Sequence, residues 1–186
     1  MSQLGLDLGP VAGGASQEGE VYFCFKAPPS VVEKTALLVN SLKAEGLISR
    51  VQPPDTWHIS LTSAGPYQDA REIAAKAGAV ADGLQGEPFT FELSQLLPFG
   101  GPTAVLAPAI TPAPAIKLQR DLALGLRRPA VKPKVGLNPH MTIAWTDAPV
   151  PARRLDEIIV WPVTEFCLAL SRPKRGHEIL GRWRLG

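Results

Sequence analysis

Two short blocks constrain this chain more than any other part of it: Trp57-His58-Ile59-Ser60-Leu61-Thr62 and Pro139-His140-Met141-Thr142-Ile143-Ala144-Trp145. Each reads histidine, apolar, hydroxyl, apolar, and the histidines stand 82 positions apart (140 − 58). Side chains alternate between the two faces of a β-strand. Strict alternation therefore puts His58, Ser60 and Thr62 on one face, with Trp57, Ile59 and Leu61 on the other. In the second block it sets His140 and Thr142 against Met141, Ile143 and Trp145. Two strands that each bury an apolar face and present an imidazole beside a hydroxyl can supply a general acid and a general base, with hydroxyls left to hold an anion.

The rest of the chain fits a frame for such a pair. Its 186 residues suit one domain, or two small lobes sharing a core. Hydrophobic residues at 45% and charged residues at 19% describe a soluble globular protein. A net charge of +2 permits a phosphate-bearing ligand but is far from the basic footprint of a long nucleic-acid groove. Cys24 and Cys167 sit in apolar, strand-like runs and read as reduced, buried residues. With no signal-like opening and no transmembrane-length apolar run, a cytoplasmic location is expected, without membrane attachment.

Residues 1–19 are Gly-rich and aperiodic and are read as a flexible tail, leaving 20–186 as a single bilobal domain. Glu20 to Lys26 is predicted to be a strand. A helix follows, with Ser30 as N-cap, Glu33 completing a capping box, Val32, Leu37, Leu38, Leu42 and Leu47 as its apolar stripe, and Gly46 as its stop. Asp69 to Gly83 and Ala115 to Leu126 are predicted helices, and Phe89–Leu97 and Thr103–Ala109 a strand pair about the turn Pro98 to Pro102. Residues 127–136 are read as a basic, proline-broken loop, and 157–160, 163–170 and 178–185 as closing strands. Each half thus carries one histidine strand, preceded by a strand-like run, a helix and a proline-rich loop. The expected fold class is α+β, with two pseudo-symmetric lobes of antiparallel sheet, helices outside, and both histidines at the groove between the lobes.

The paired motifs resemble those of the 2H phosphoesterase superfamily, the LigT-like proteins named RNA 2′,3′-cyclic phosphodiesterases or 2′–5′ RNA ligases. That family is defined by two His-x-Thr/Ser-x motifs, met here by His58-Ile59-Ser60-Leu61 and His140-Met141-Thr142-Ile143. Gln52-Pro53-Pro54-Asp55 before the first motif, Asn138-Pro139 before the second, and the tail from Trp161 to Leu185 also look like the family. The chain departs from it where Trp145 follows the second motif, a place often held by arginine, and where His177 stands in the last hairpin, a place often held by tyrosine.

The resemblance implies hydrolysis of a 2′,3′-cyclic phosphate, on an RNA 3′ end or a small nucleotide, to a 2′-phosphate. His58 would protonate the leaving 3′ oxygen, His140 would activate water, and Ser60 and Thr142 would bind the phosphate. From the residues alone, either histidine can be the acid. Two other readings use the same residues: a phosphodiesterase or ligase acting on 2′–5′ linkages or RNA 3′ ends, and a module that binds RNA ends or nucleotides without turnover. No cofactor and no metal are expected, since no carboxylate or third histidine stands at ligand spacing near either block. A monomer is the expected state. Thr62, Phe25 and His177 are further candidate substrate contacts. Parity leaves open which aromatic of the first strand meets a base, and His177 with Arg172, Lys174 and Arg175 reads either as groove mouth or as solvated turn. Trp57 and Trp145 are expected to pack in the core.

Overall fold

The computed structural model describes residues 19–126, 138–172 and 176–186. The expected tail, the basic loop at 127–136, Lys174 and Arg175 lie outside these residues, except for Gly19 at the end of the tail. Nine strands and three helices follow the order β1 (Glu20–Lys26), α1 (Pro29–Ala44), β2 (Arg50–Val51), β3 (His58–Pro66), α2 (Ala70–Asp82), β4 (Phe89–Pro98), β5 (Thr103–Pro108), α3 (Ala113–Gly125), β6 (Met141–Trp145), β7 (Arg153–Val163), β8 (Glu165–Arg172) and β9 (Gly176–Arg184) among the described residues. They build two antiparallel sheets, β3-β1-β8-β9 and β2-β6-β5-β4-β7. One histidine strand belongs to each, as the α+β, two-lobed expectation requires.

One face of each sheet turns to a shared core. Val21, Phe23 and Phe25 of β1, Ile59 of β3, Phe91 and Leu93 of β4, Met141 and Ile143 of β6 and Phe166 of β8 all belong to it. Rings of the two sheets interlock there, with Phe25 edge-on to Phe89 and Phe91 at centroid distances of 5.4 and 5.6 Å. Burying each such side chain contributes about 1.5–3 kcal/mol, so the apolar halves of both histidine motifs help to join the lobes. Helix α2 lays Ile73, Ala77 and Ala81 on this core, and the Trp183 indole N–H of β9 donates to Asp82 at its end (2.7 Å).

Helix α1 differs from its expected form. Pro29 occupies the first turn and Pro28 is the cap, with no side-chain capping bond, so Ser30 and Glu33 form no capping box. Its buried stripe is Val31, Thr35, Val39 and Leu42, while Leu37 is 68% exposed. Entering at proline turns the helix so that Val31 starts the inward row. Gly46 does end the helical run, at φ +73°, a conformation glycine adopts without strain.

Candidate active site

The faces opposite the core carry the motif residues. On β1 that face holds Tyr22, Cys24 and Lys26, and the ladder to β3 sets Lys26 against His58, Cys24 against Ser60 and Tyr22 against Ser63. Cys24 also stands opposite Cys167 of β8, and Tyr22, Cys24, Cys167 and Ala169 form a second small buried cluster. Both cysteines are free thiols.

The ladder is not regular. Between Cys24–Ser60 and Phe23–Thr62 the partner strand advances one residue while β3 advances two, so Leu61 is an extra residue. Such a bulge reverses the facing of the residues beyond it. Thr62 therefore stands opposite Phe23 on the core side, and Ser63 takes the groove-facing place expected for Thr62. The second motif repeats the slip. Between Val105–Thr142 and Ala104–Ala144, Ile143 is the extra residue, and Ile143 and Ala144 both lie in the core. The next side chain, Trp145, turns outward and is 41% exposed, so it is not the core residue expected, whereas Trp57 is. In both motifs the extra residue comes three positions after the histidine.

Phe25 also departs from its expected place. It is fully buried between Phe89 and Phe91 and faces away from the groove, because its ladder partner is the core residue Ile59. The β1 aromatic on the groove side is Tyr22, whose ring lies 5.2 Å from that of His58.

The two histidines are held alike. His58 Nδ1 lies 2.7 Å from the Thr56 carbonyl oxygen and His140 Nδ1 lies 2.9 Å from that of Asn138, in each case two residues upstream. A carbonyl only accepts, so Nδ1 carries the proton and donates it. Nε2, the other nitrogen, makes no hydrogen bond in either ring among the described residues. Gln52, just beyond β2, continues the pairing with β6 through its N–H to the Ile143 carbonyl (2.8 Å). His140 is close enough to His58 for its charge to make a small contribution to holding His58 down.

Each imidazole has an aromatic neighbour. His177 meets His58 edge-on at a centroid distance of 4.8 Å, and Tyr22 packs against both. Phe99, in the β4–β5 turn, stacks on His140 at 3.9 Å and 28°. His177, expected at the groove mouth or in a solvated turn, thus stands at the first histidine. Sequence reasoning misses both Tyr22 and Phe99. The alternation of β1 places Tyr22 with Lys26 but does not say which face meets the histidine, and Phe99 gives no signal within a Gly/Pro-rich turn.

Burial depresses all three imidazoles. It lowers His58 to about 4, opposed by the Thr56 hydrogen bond and aided by His177, Lys26 and His140. It likewise lowers His140, opposed by Asn138, and His177, aided by Lys26 and opposed by Asp55. All three are neutral at pH 7 in the free protein. Lys26, itself lowered mainly by burial, donates to the Asp55 carbonyl. Among the described residues, Tyr22 Oη and His177 Nδ1 are enclosed without a hydrogen-bond partner. Ser60 is exposed and Thr142 half-buried on the groove faces. No group of three or more His, Cys, Asp or Glu side chains able to hold a metal ion occurs among the described residues. Among them, too, no helix is long and apolar enough to cross a membrane.

A two-histidine groove between paired antiparallel lobes defines a class, and comparison with known proteins agrees. The 2′-5′ RNA ligase superfamily model matches residues 28–173, and the chain belongs to that superfamily, the 2H phosphoesterases. Solved structures share the fold. E. coli LigT in its apo form aligns over 90% of this chain and 98% of its own at 20% identity, with a TM-score of 0.72. E. coli LigT complexed with 3′-AMP aligns over the same shares at 22% identity and a TM-score of 0.74. TT0787 of Thermus thermophilus aligns over 89% and 97% at 19% identity and a TM-score of 0.68. No curated protein sequence matches.

Proposed function

We propose that this protein is a phosphodiesterase that hydrolyses a 2′,3′-cyclic phosphate, on an RNA end or small nucleotide, to a 2′-phosphate without a metal ion. The observation that carries this reading is the twin imidazole arrangement, in which Nδ1 of His58 and of His140 is committed to a backbone carbonyl. That fixes both rings and leaves an Nε2 lone pair on each side of the groove, as an in-line displacement needs. His140 takes a proton from water, His58 returns one to the departing 3′ oxygen, and Ser60 and Thr142 donate to the non-bridging oxygens where charge grows.

The low imidazole pKa values bear on this chemistry. A neutral His140 is ready to act as base. A neutral His58 must gain a proton before it can act as acid, and the phosphodiester anion favours that gain by opposing the burial that keeps it neutral. The substrate thereby arms the acid. The binding of 3′-AMP by LigT supports a nucleotide ligand for this fold.

The test is turnover of a 2′,3′-cyclic mononucleotide with a chelator present. Loss of product in both His58→Ala and His140→Ala supports the mechanism, whereas loss on adding chelator to the wild type rejects its metal-free form. Binding without product rejects catalysis. A substrate with an activated leaving group assigns the roles, because it rescues only the variant lacking the acid. Rescue of His140→Ala rather than His58→Ala would exchange them.

A further inference from the structure

Beyond the reacting groups, the β6 wall of the groove carries an aromatic side chain that lies outside the core. Trp145 is 41% exposed, whereas Trp57 and Trp161 are each 1% exposed. The extra residue Ile143 is what turns it out of the core, onto the face that holds His140 and Thr142. Directly across the ladder from Trp145 stands Arg50 of β2. Opposed residues in a ladder project to one side. The neighbouring pair confirms which side, since Val51 and Ala144 both pack on the core. Arg50 is exposed and makes no ion pair among the described residues.

The spacing from the reacting groups comes from the ladder. Thr142 is opposite Val105 and Trp145 is opposite Thr103, a step of two residues on β5. At about 3.4 Å per residue this is roughly 7 Å along the strand, the length of one nucleotide of an extended strand. An indole face beside an unpaired guanidinium matches one nucleotide chemically. Unstacked bases lie on aromatic rings, and arginine takes the backbone phosphate.

We propose that Trp145 and Arg50 form a nucleotide subsite next to the reacting centre, Trp145 stacking the base of the nucleotide 5′ to the reacting one and Arg50 holding the phosphate beside it. The proposal rests on the cyclic-phosphodiesterase reading for which phosphate reacts, and it makes an RNA end, rather than a mononucleotide, the preferred ligand.

The experiment measures binding, so it does not depend on turnover. The probe is a 2′-phosphorylated adenine dinucleotide, compared with the same molecule lacking the base of its 5′ nucleotide. Quenching of indole fluorescence reports the wild type, and calorimetry reports the Trp145 variants. In the wild type, loss of the base is expected to weaken binding about 5- to 150-fold, the contribution of one stacked base. In Trp145→Ala the two probes bind alike, and Trp145→Phe retains most of the difference. Arg50→Gln weakens both probes and lowers the slope of affinity against salt by about one. Indifference of the wild type to the missing base overturns the proposal, as does a base effect that survives Trp145→Ala. So does sedimentation showing a dimer that Trp145→Ala dissolves, because a second copy would then cover the indole. Cyclic mononucleotide turnover by the wild type is scored separately. If it is absent while the binding pattern holds, the catalytic reading falls and the subsite stands. If it is present while binding ignores the base, the subsite falls and the reading stands.

Discussion

The rings of His58 and His177 meet edge to face, 4.8 Å between centroids and 81° between planes, with Tyr22 packed against both. His177 shields His58 from water and adds to the positive surroundings that oppose its protonation. Removing it in His177→Ala exposes His58 and raises its pKa from about 4 towards 6.5. The titration of the His58 ring by NMR checks this, and an unmoved midpoint would deny His177 that influence.

Stability should carry the same signature. His58, His140 and His177 all hold protons less readily than ordinary imidazoles, mainly through burial. The unfolded chain therefore takes up protons first as pH falls through about 6.5. Their contribution is complete above that pH and is lost progressively on acidification, for His58 down to about 4. Each imidazole lowers the unfolding free energy by at most about 1.4 kcal/mol per pH unit in that window. Urea unfolding at pH 7.5 and pH 5 measures it, and His177→Gln should reduce the difference.

Catalysis should respond to pH in a related way. With both motif imidazoles depressed in the free protein, kcat/KM should peak on the acidic side of 6.5, whereas kcat, which reports the complex, should peak at higher pH because the bound phosphate favours the charged rings. Coincident profiles would remove the arming of the acid by substrate.

Phe99 stacks on His140 at 3.9 Å, and its loss should loosen that ring more than it loosens the fold. Phe99→Ala should cost about 0.5–1.5 kcal/mol of stability and lower kcat by about tenfold, within what a misplaced proton-transfer group costs. Phe99→Tyr should restore the rate. A change in KM alone would move Phe99 from positioning to binding.

Phe25 provides the contrasting case. Because it is buried against Phe89 and Phe91, Phe25→Leu should lower stability by about 1–2 kcal/mol and leave KM for a cyclic mononucleotide unchanged. A KM effect in the folded variant would return it to the groove.

How much of the molecule is legible in its sequence depends on the range of the forces involved. Alternation within a strand is local, and it separates His58, Ser60, His140 and Thr142 from Ile59 and Met141 correctly. A ladder slip depends on the partner strand, which a linear pattern does not contain, so strict alternation assigns Thr62 and Trp145 each to the wrong face. Phe25 and Tyr22 cannot be sorted by pattern because both faces of β1 are buried, one in the main core and one in the cluster with Cys24 and Cys167. In α1 the leucine count favours a stripe through Leu37, while entry at proline selects Val31.

The paired slips also bear on how such a protein changes over time. Five positions after His58 stands Ser63, and five after His140 stands Trp145, one of the smallest side chains and the largest in equivalent places. Both are released from the core by the residue inserted ahead of them. Substitution there alters what the groove meets without disturbing what holds the lobes together. Each half of the molecule thus has a socket where ligand preference can drift at little structural cost, and the two sockets can drift independently.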